Sequence, residues 1–152
     1  LTELDLSAFL KGYCANWEDE IEFNELTTAP IKILGDSSRL EQLFDKLLDN
    51  AISFSQTARE PENKEASQVR VHTKQTSNQF TISIENDGPL LPNENGIELF
   101  SPMVSTRSSG SSIHLGLGLH IAKLICDQHK ATLTGKNRDD KTGVVFSVTF
   151  SI

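Results

Sequence analysis

Apolar positions recur with helical spacing along residues 36–54. Leu40, Leu43, Phe44, Leu47, Leu48, Ala51 and Ile52 follow the i, i+3, i+4, i+7 pattern, which gathers them on one buried face and predicts a helix from Asp36 to Phe54. A second long helix is predicted from Leu115 to His129, and a shorter one from Ser7 to about Glu18 with Ser7 as its N-cap. The pattern between them is that of strands. Residues 1–6 read as a strand, and Ile21–Thr27 and Ile31–Leu34 as two short ones split by a turn at Pro30. Gln68–Thr73 and Gln79–Glu85 alternate and form a hairpin through Thr76, Ser77 and Asn78. Ala131–Lys136 and Val144–Ile152 make a last pair around Asp139–Gly143. Thr57–Ser67 reads as a polar loop, Asn86–Pro92 is turn-rich, and Ser105–Ser112 reads as a mobile loop. No internal repeat is visible. The elements sort into one sheet with helices packed on one face, an α+β, two-layer sandwich.

Composition narrows the class. A chain of 152 residues is long enough for one domain with a real core and short for two, so residues 1–152 are read as a single domain. Apolar residues are 37% and charged residues 23%, which places the chain among globular proteins. No apolar run reaches the roughly 18 residues of a membrane span, and no signal peptide is recognised. The N-terminus reads as a strand entered mid-protein, compatible with the cytosolic end of a membrane protein. Fourteen basic against 21 acidic residues give a net charge of −7 with no basic stripe, so no nucleic-acid partner is expected. The two cysteines, Cys14 and Cys126, form neither a disulfide framework nor a zinc site and are read as reduced, buried thiols.

Candidate chemistry lies in three places. On the first long helix, Lys46, Asn50 and Ser53 are spaced i, i+4, i+7 and share one edge. The Asn50 amide oxygen there is either a ligand for a hard cation such as magnesium or simply a solvated helix residue. In Ile84-Glu85-Asn86-Asp87-Gly88-Pro89 a strand runs into a tight turn. Gly88 can take a positive φ, and Asn86 or Asp87 can meet a base edge; a plain turn is the alternative. In Leu115-Gly116-Leu117-Gly118-Leu119 glycines open onto a helix, either as a phosphate cradle at its N-terminus or as a packing pair. Arg107 can fork onto a phosphate or stay solvated. His72 and His129 read as surface residues; His114 borders the glycine segment and either lines the site or is incidental.

In this order the motifs resemble the catalytic domain of sensor histidine kinases, within the ATPase superfamily of gyrase, Hsp90 and MutL. Residues 43–51 resemble the N box, and residues 35–40 its usual lead-in. Asn86-Asp87-Gly88-Pro89 resembles the first glycine box, and residues 99–107 the F box. Residues 115–122 resemble the second glycine box and Thr142–Phe146 the last. The resemblance runs from about Leu4 to Ile152 and implies the Bergerat sandwich, a mixed, mainly antiparallel sheet with helices on one face. It implies ATP and Mg2+ as ligands, with Asn50 on the metal and Asn86 on the adenine. Gly88, Arg107, His114, Gly116, Leu117, Gly118 and Leu119 then line the nucleotide, under a lid that includes Ser108–Ser112. It also implies a cytoplasmic kinase domain at the cytosolic end of a membrane-bound sensor, without membrane contact of its own. Its partners are a dimerisation and histidine-phosphotransfer domain and a response regulator.

The pattern departs from the family at named positions. Lys46 stands where the family often has Asn, Ser53 where it often has Lys, and Asn86 where it often has Asp. Leu90 and His114 replace glycines. Lys46 can supply the phosphate-facing charge that Ser53 lacks. Superfamily members that hydrolyse ATP with water usually carry a carboxylate base one turn before the Asn, where this chain has Lys46. The alternatives are another ATPase of the superfamily and a non-catalytic module of the same fold with a degraded pocket.

Overall fold

The computed structural model describes residues 1–17, 21–24, 29–58, 69–88, 91, 112–140 and 142–152, with the backbone alone for 24, 54–58 and 112–117. Seven strands and three helices follow one another as β1 Thr2–Asp5, α1 Leu6–Cys14, β2 Glu22–Asn24, β3 Lys32–Gly35, α2 Ser37–Ala58, β4 Val69–Gln75, β5 Gln79–Asp87, α3 Ser112–Gln128, β6 Thr132–Asn137 and β7 Gly143–Ser151. The expected α+β sandwich is present, with one amendment. The strands form two sheets rather than one: a five-stranded sheet β2-β4-β5-β7-β6, and a separate ribbon of β1 and β3. In the large sheet β2 runs parallel to β4 and the remaining pairs are antiparallel.

Alternation along the strands explains why the helices lie on one side. Phe80, Ile82 and Ile84 on β5 sit opposite Phe150, Val148 and Phe146 on β7, and all six are buried. The intervening positions are polar, with Thr81 and Thr149 hydroxyls 3.0 Å apart and Ser83 and Ser147 likewise 3.0 Å apart. One face therefore carries the apolar rows, and α2 and α3 pack side by side over it. The predicted arc of α2 is what it buries: Leu40, Leu43, Phe44, Leu47, Leu48 and Ala51 are all at or below 2% exposure, with Ile52 packed at the margin. Against α2 lies α1, where Tyr13 donates to Asp45 at 2.6 Å and stacks among Phe9, Phe44 and Trp17. Burial pushes the Cys14 and Cys126 thiols up to about 12, which keeps both protonated and unreactive. No helix among the described residues is long and apolar enough to cross a membrane.

Several boundaries move. The cap of α1 is Asp5, not Ser7: its carboxylate accepts the N–H groups of Ser7 and Ala8 and also that of Ile31, across the ribbon. Those bonds, Ile31 foremost, hold the Asp5 carboxyl below its usual range. The α1 helix ends at Cys14 and passes into a 3-10 turn, Ala15–Trp17. Asp36 caps α2 by accepting from Ser38 and Arg39, and α2 runs on to Ala58, past the expected Phe54. Asn86 and Asp87, expected in a turn, are still part of β5.

His129 is not a surface residue. It is 9% exposed, and its Nε2 accepts the Asp36 N–H at 3.0 Å. A backbone N–H can only donate, so Nδ1 carries the ring proton and donates to the Ile125 carbonyl at 2.9 Å. The ring thus ties the end of α3 to the start of α2. Replacing it, His129→Ala, strands the Asp36 N–H and is expected to cost about 1–3 kcal/mol. In urea the unfolding midpoint should fall with no change in slope. An unchanged midpoint would show that the bond does not hold the two helices.

Candidate functional site

Buried polar side chains usually find partners, and the exceptions are informative. Asn50 on α2 is 9% exposed and Asn86 on β5 is fully buried. Among the described residues, neither polar atom of Asn50 has a hydrogen-bond partner, and neither does Oδ1 of Asn86. Each such group costs about 1–3 kcal/mol. A chain that only needed to fold would favour apolar residues in these places. Both sit between the layers, Asn50 beside the buried Ala51 and Asn86 in the inner row of β5 that continues from Ile84.

The orientation of Asn86 is chemically determined. Its Nδ2 lies 3.0 Å from the Asp87 carbonyl oxygen, which can only accept, so the amide nitrogen is committed there. Oδ1 is the atom left over, a pure acceptor suited to an amine. Asp87 belongs to the opposite face of the sheet. Arg138 Nη1 donates to its Oδ1 at 2.7 Å, and Arg70 Nη2 lies 3.7 Å from the same oxygen. Of the two candidates in this turn, strand alternation therefore gives Asn86 to the interlayer and Asp87 to a surface ion pair. Gly88 has φ 141°, as the turn reading requires, and its N–H donates to Thr142 O at 3.2 Å.

The edge of α2 meets α3. The stem of Lys46 runs beside Gly118: a Cβ placed on that glycine would lie 3.8 Å from Lys46 Cδ. Lys46 and Ser53 are both half-buried, flanking Asn50 along the helix. The start of α3 differs from the sequence reading. The helix opens at Ser112 rather than Leu115, so Gly116 and Gly118 lie beyond the first turn and their N–H groups fall inside the helical ladder. The open N–H groups belong instead to the turn that contains Ser112, Ile113 and His114. Leu119 is 1% exposed and packs into the core. The side chains of His114 and Leu117 and the whole of Arg107 lie outside the described residues, as do residues 108–111 of the Ser108–Ser112 stretch read as a lid.

A hard cation fits this donor set. Magnesium takes oxygen ligands, keeps several of its waters and needs few protein groups when phosphates share it. The unpartnered amide of Asn50 offers such an oxygen. Among the described residues no three His, Cys, Asp or Glu side chains converge as a metal site.

Two residues that sequence reasoning passed over touch the same turn. Asn137 and Arg138, at the exit of β6, bond to Leu91 and Asp87 respectively. Their only local signal is their place beside the Asp139–Gly143 turn.

A two-layer sandwich that keeps unpartnered amides between its layers, on α2 and on the strand beneath it, has polar atoms to offer a ligand there. The family described as histidine kinase-, DNA gyrase B- and HSP90-like ATPases matches residues 35–152, and the chain belongs to it. The sensor histidine kinase CssS of Bacillus subtilis is 29% identical over 133 residues, 88% of this chain and 25% of that protein. The heme sensor protein HssS of Staphylococcus saprophyticus is 31% identical over 138 residues, 91% of this chain and 27% of its own. The chain thus spans about a quarter of these relatives. Among solved structures, the mycobacterial sensor histidine kinase MprB superposes with a TM-score of 0.72 at 24% identity, covering 98% of this chain and 95% of that one. The histidine kinase ThkA, solved in complex with the response regulator protein TrrA, gives 0.69 at 23% identity, covering 99% and 41%. At that identity the superpositions speak for the fold.

Proposed function

We propose that this chain is the ATP-binding catalytic domain of a two-component sensor histidine kinase, a single domain over residues 1–152. It holds Mg-ATP for attack on the γ-phosphorus by a histidine of a separate dimerisation and histidine-phosphotransfer domain. The phosphoryl group passes from ATP to the imidazole nitrogen, ADP leaves, and a response regulator receives the group afterwards. The setting is the cytosolic end of a membrane-bound sensor. The observation that carries this reading is the pair of buried asparagines whose polar atoms have no partner among the described residues.

Asn50 Oδ1 would be the protein ligand of Mg2+, which when bound supplies charge neutralisation at the phosphate oxygens. Asn86 Oδ1 accepts the exocyclic amine of adenine. Gly88 lets the base approach the backbone, Gly118 beside the Lys46 stem leaves the phosphates room at the α2–α3 edge, and Gly116 and Leu117 bring backbone to them from the turn before it. The open N–H groups at the start of α3, that of His114 among them, face anionic oxygens, and Arg107 adds a fork donor. Phosphoryl transfer asks mainly for such positioning and charge. A lysine at position 46 is no general base for water, which favours transfer to a protein nucleophile over hydrolysis.

Lys46 is the phosphate-facing cation in this arrangement. Lys46→Ala is expected to weaken ATP binding about tenfold, the scale of one charge-assisted bond. Calorimetric titration of ATP with and without magnesium checks this. An unchanged affinity would remove Lys46 from the site. If the parent chain binds no ATP at all, the reading gives way to a partner-holding module of the same fold.

A further inference from the structure

The residue at position 86 is an asparagine, and an asparagine has two different ends. An aspartate would offer the base an oxygen in either orientation. The Asn86 carboxamide offers one only while its nitrogen stays on the Asp87 carbonyl, 3.0 Å away. Selectivity for an amine-bearing base therefore depends on where that peptide plane points. The turn leaving β6 holds it from several sides. Arg138 is anchored by its own N–H to Gly143 O at 2.8 Å. Gly143 is the residue paired with Asp87 across the sheet. From there Arg138 Nη1 reaches Asp87 Oδ1 at 2.7 Å and Nη2 reaches Asp140 Oδ2 at 3.1 Å. Asp140 in turn accepts the N–H and the hydroxyl of Thr142, at 3.0 and 2.7 Å, and the Thr142 carbonyl takes the Gly88 N–H. Asn137 lies in the same inner row as Val144 and Asn86. Its carboxamide closes on both backbone groups of Leu91, accepting the N–H at 2.7 Å and donating to the carbonyl at 3.0 Å. The chain leaving Asn86 is thus pinned at Asp87, at Gly88 and again at Leu91.

We infer that Asn137 and Arg138 are positioning residues for base recognition: they fix the Asp87 carbonyl, which keeps the Asn86 carboxamide turned with its oxygen toward the ligand. This rests on the reading of Asn86 as the acceptor of the base amine. Arg138 acts on the Asp87 side chain and Asn137 on the backbone of Leu91, further along the chain that leaves Asn86. With the pins removed the peptide can rotate, and the carboxamide can turn its nitrogen outward. The site then accepts a base that carries a carbonyl where adenine carries its amine.

Titration of ATP and of inosine triphosphate, in magnesium, into the parent chain and its variants tests this. The parent should prefer ATP by about tenfold or more, as a site built around one hydrogen bond does. Asn137→Ala and Arg138→Met should each erase most of that preference, chiefly by weakening ATP, and Arg138→Lys should restore part of it. A role confined to stability would weaken both nucleotides alike and leave their ratio intact, which would overturn the inference. Asn137→Asp, which keeps the acceptor for Leu91 N–H and loses the donor, serves if Asn137→Ala does not fold. In an Asn86→Asp background, Asn137→Ala should leave the ratio unchanged, because a carboxylate has no nitrogen to present. Asn86→Ala separates the two levels. If it leaves ATP affinity and the ratio untouched, the underlying reading of Asn86 fails. If it weakens ATP while the Asn137 and Arg138 variants keep the parent ratio, the positioning inference alone fails.

Discussion

Asn50→Ala is expected to abolish magnesium-dependent ATP binding and, in the same protein, to leave the fold as stable as the parent or more so. The two effects have one cause. Both polar atoms of Asn50 are buried without a partner among the described residues, a cost of about 1–3 kcal/mol for each unsatisfied group. Alanine removes that cost and is the better helix former by up to about 0.7 kcal/mol. Each kcal/mol gained should raise Tm by about 2–4 °C in a chain of this size. Binding should move the other way, by on the order of 100-fold or more, since even residues that merely orient a metal ligand are worth 10–100-fold. Calorimetry with and without magnesium, paired with a thermal melt, reads both. Lost binding with a lower Tm would make Asn50 a packing residue whose loss disturbs the helix layer. Retained magnesium-dependent binding would sink its role as the metal ligand.

This opposition between folding and function is also why the site was partly legible in the sequence. The amphipathic arc of α2 is local information, and every residue it placed on the buried face is buried or packed there. Asn50 shares the edge of that arc with Lys46 and Ser53, where a polar residue is ordinary, so the helix pattern alone leaves its role open. The hairpin β4–β5 was legible because its alternation is strict. The phase of its last two residues was not. With the strand taken to end at Glu85, Asn86 and Asp87 were equivalent turn residues. Pairing with Val144 and Gly143 continues the strand and sends one inward and the other outward.

The other misses share a physical origin, which is pairing over long stretches of chain. Asp5 and Ser7 are both acceptable cap residues, and the choice is made by the Ile31 N–H, which also needs the Asp5 carboxylate. His129 looked like a solvated residue at a helix end because its partner, the Asp36 N–H, lies 93 residues away. Arg138 is 51 residues from Asp87 and Asn137 is 46 from Leu91, so nothing around them in sequence marks them as holding the β5 exit. The start of α3 failed for a local reason. Glycine and serine weigh against helix in any propensity scale, yet the helix carries Ser112 and both glycines in its opening turns.

Among Gly12, Gly35, Gly118 and Gly143, Gly143→Ala is expected to produce the largest loss of stability, and the reason is distance alone. A Cβ on Gly143 would stand 2.1 Å from the Asn86 carbonyl oxygen, 2.8 Å from Asp87 Cα and 2.9 Å from Asn86 C. All three are backbone atoms of the neighbouring strand, so no side chain can swing aside. The strands must part where Asp87 pairs with Gly143, next to the bond that Arg138 N–H makes with Gly143 O. Overpacking of this kind costs about 1–3 kcal/mol when side chains can adjust, and more when they cannot, so a loss of about 3 kcal/mol or greater is expected. Gly12→Ala is the matched control: nothing lies within 4 Å of its Cβ, it sits on the exposed side of α1, and the substitution should stabilise by up to about 1 kcal/mol. Urea midpoints for the two variants should therefore move in opposite directions. The folded fraction of Gly143→Ala should also bind ATP more weakly, because the methyl displaces the Asn86 backbone from which the base acceptor is presented. Equal midpoints for the two variants would refute the close approach of β7 to β5. A lower midpoint with full ATP affinity would show that the base site does not depend on where the Asn86 backbone sits.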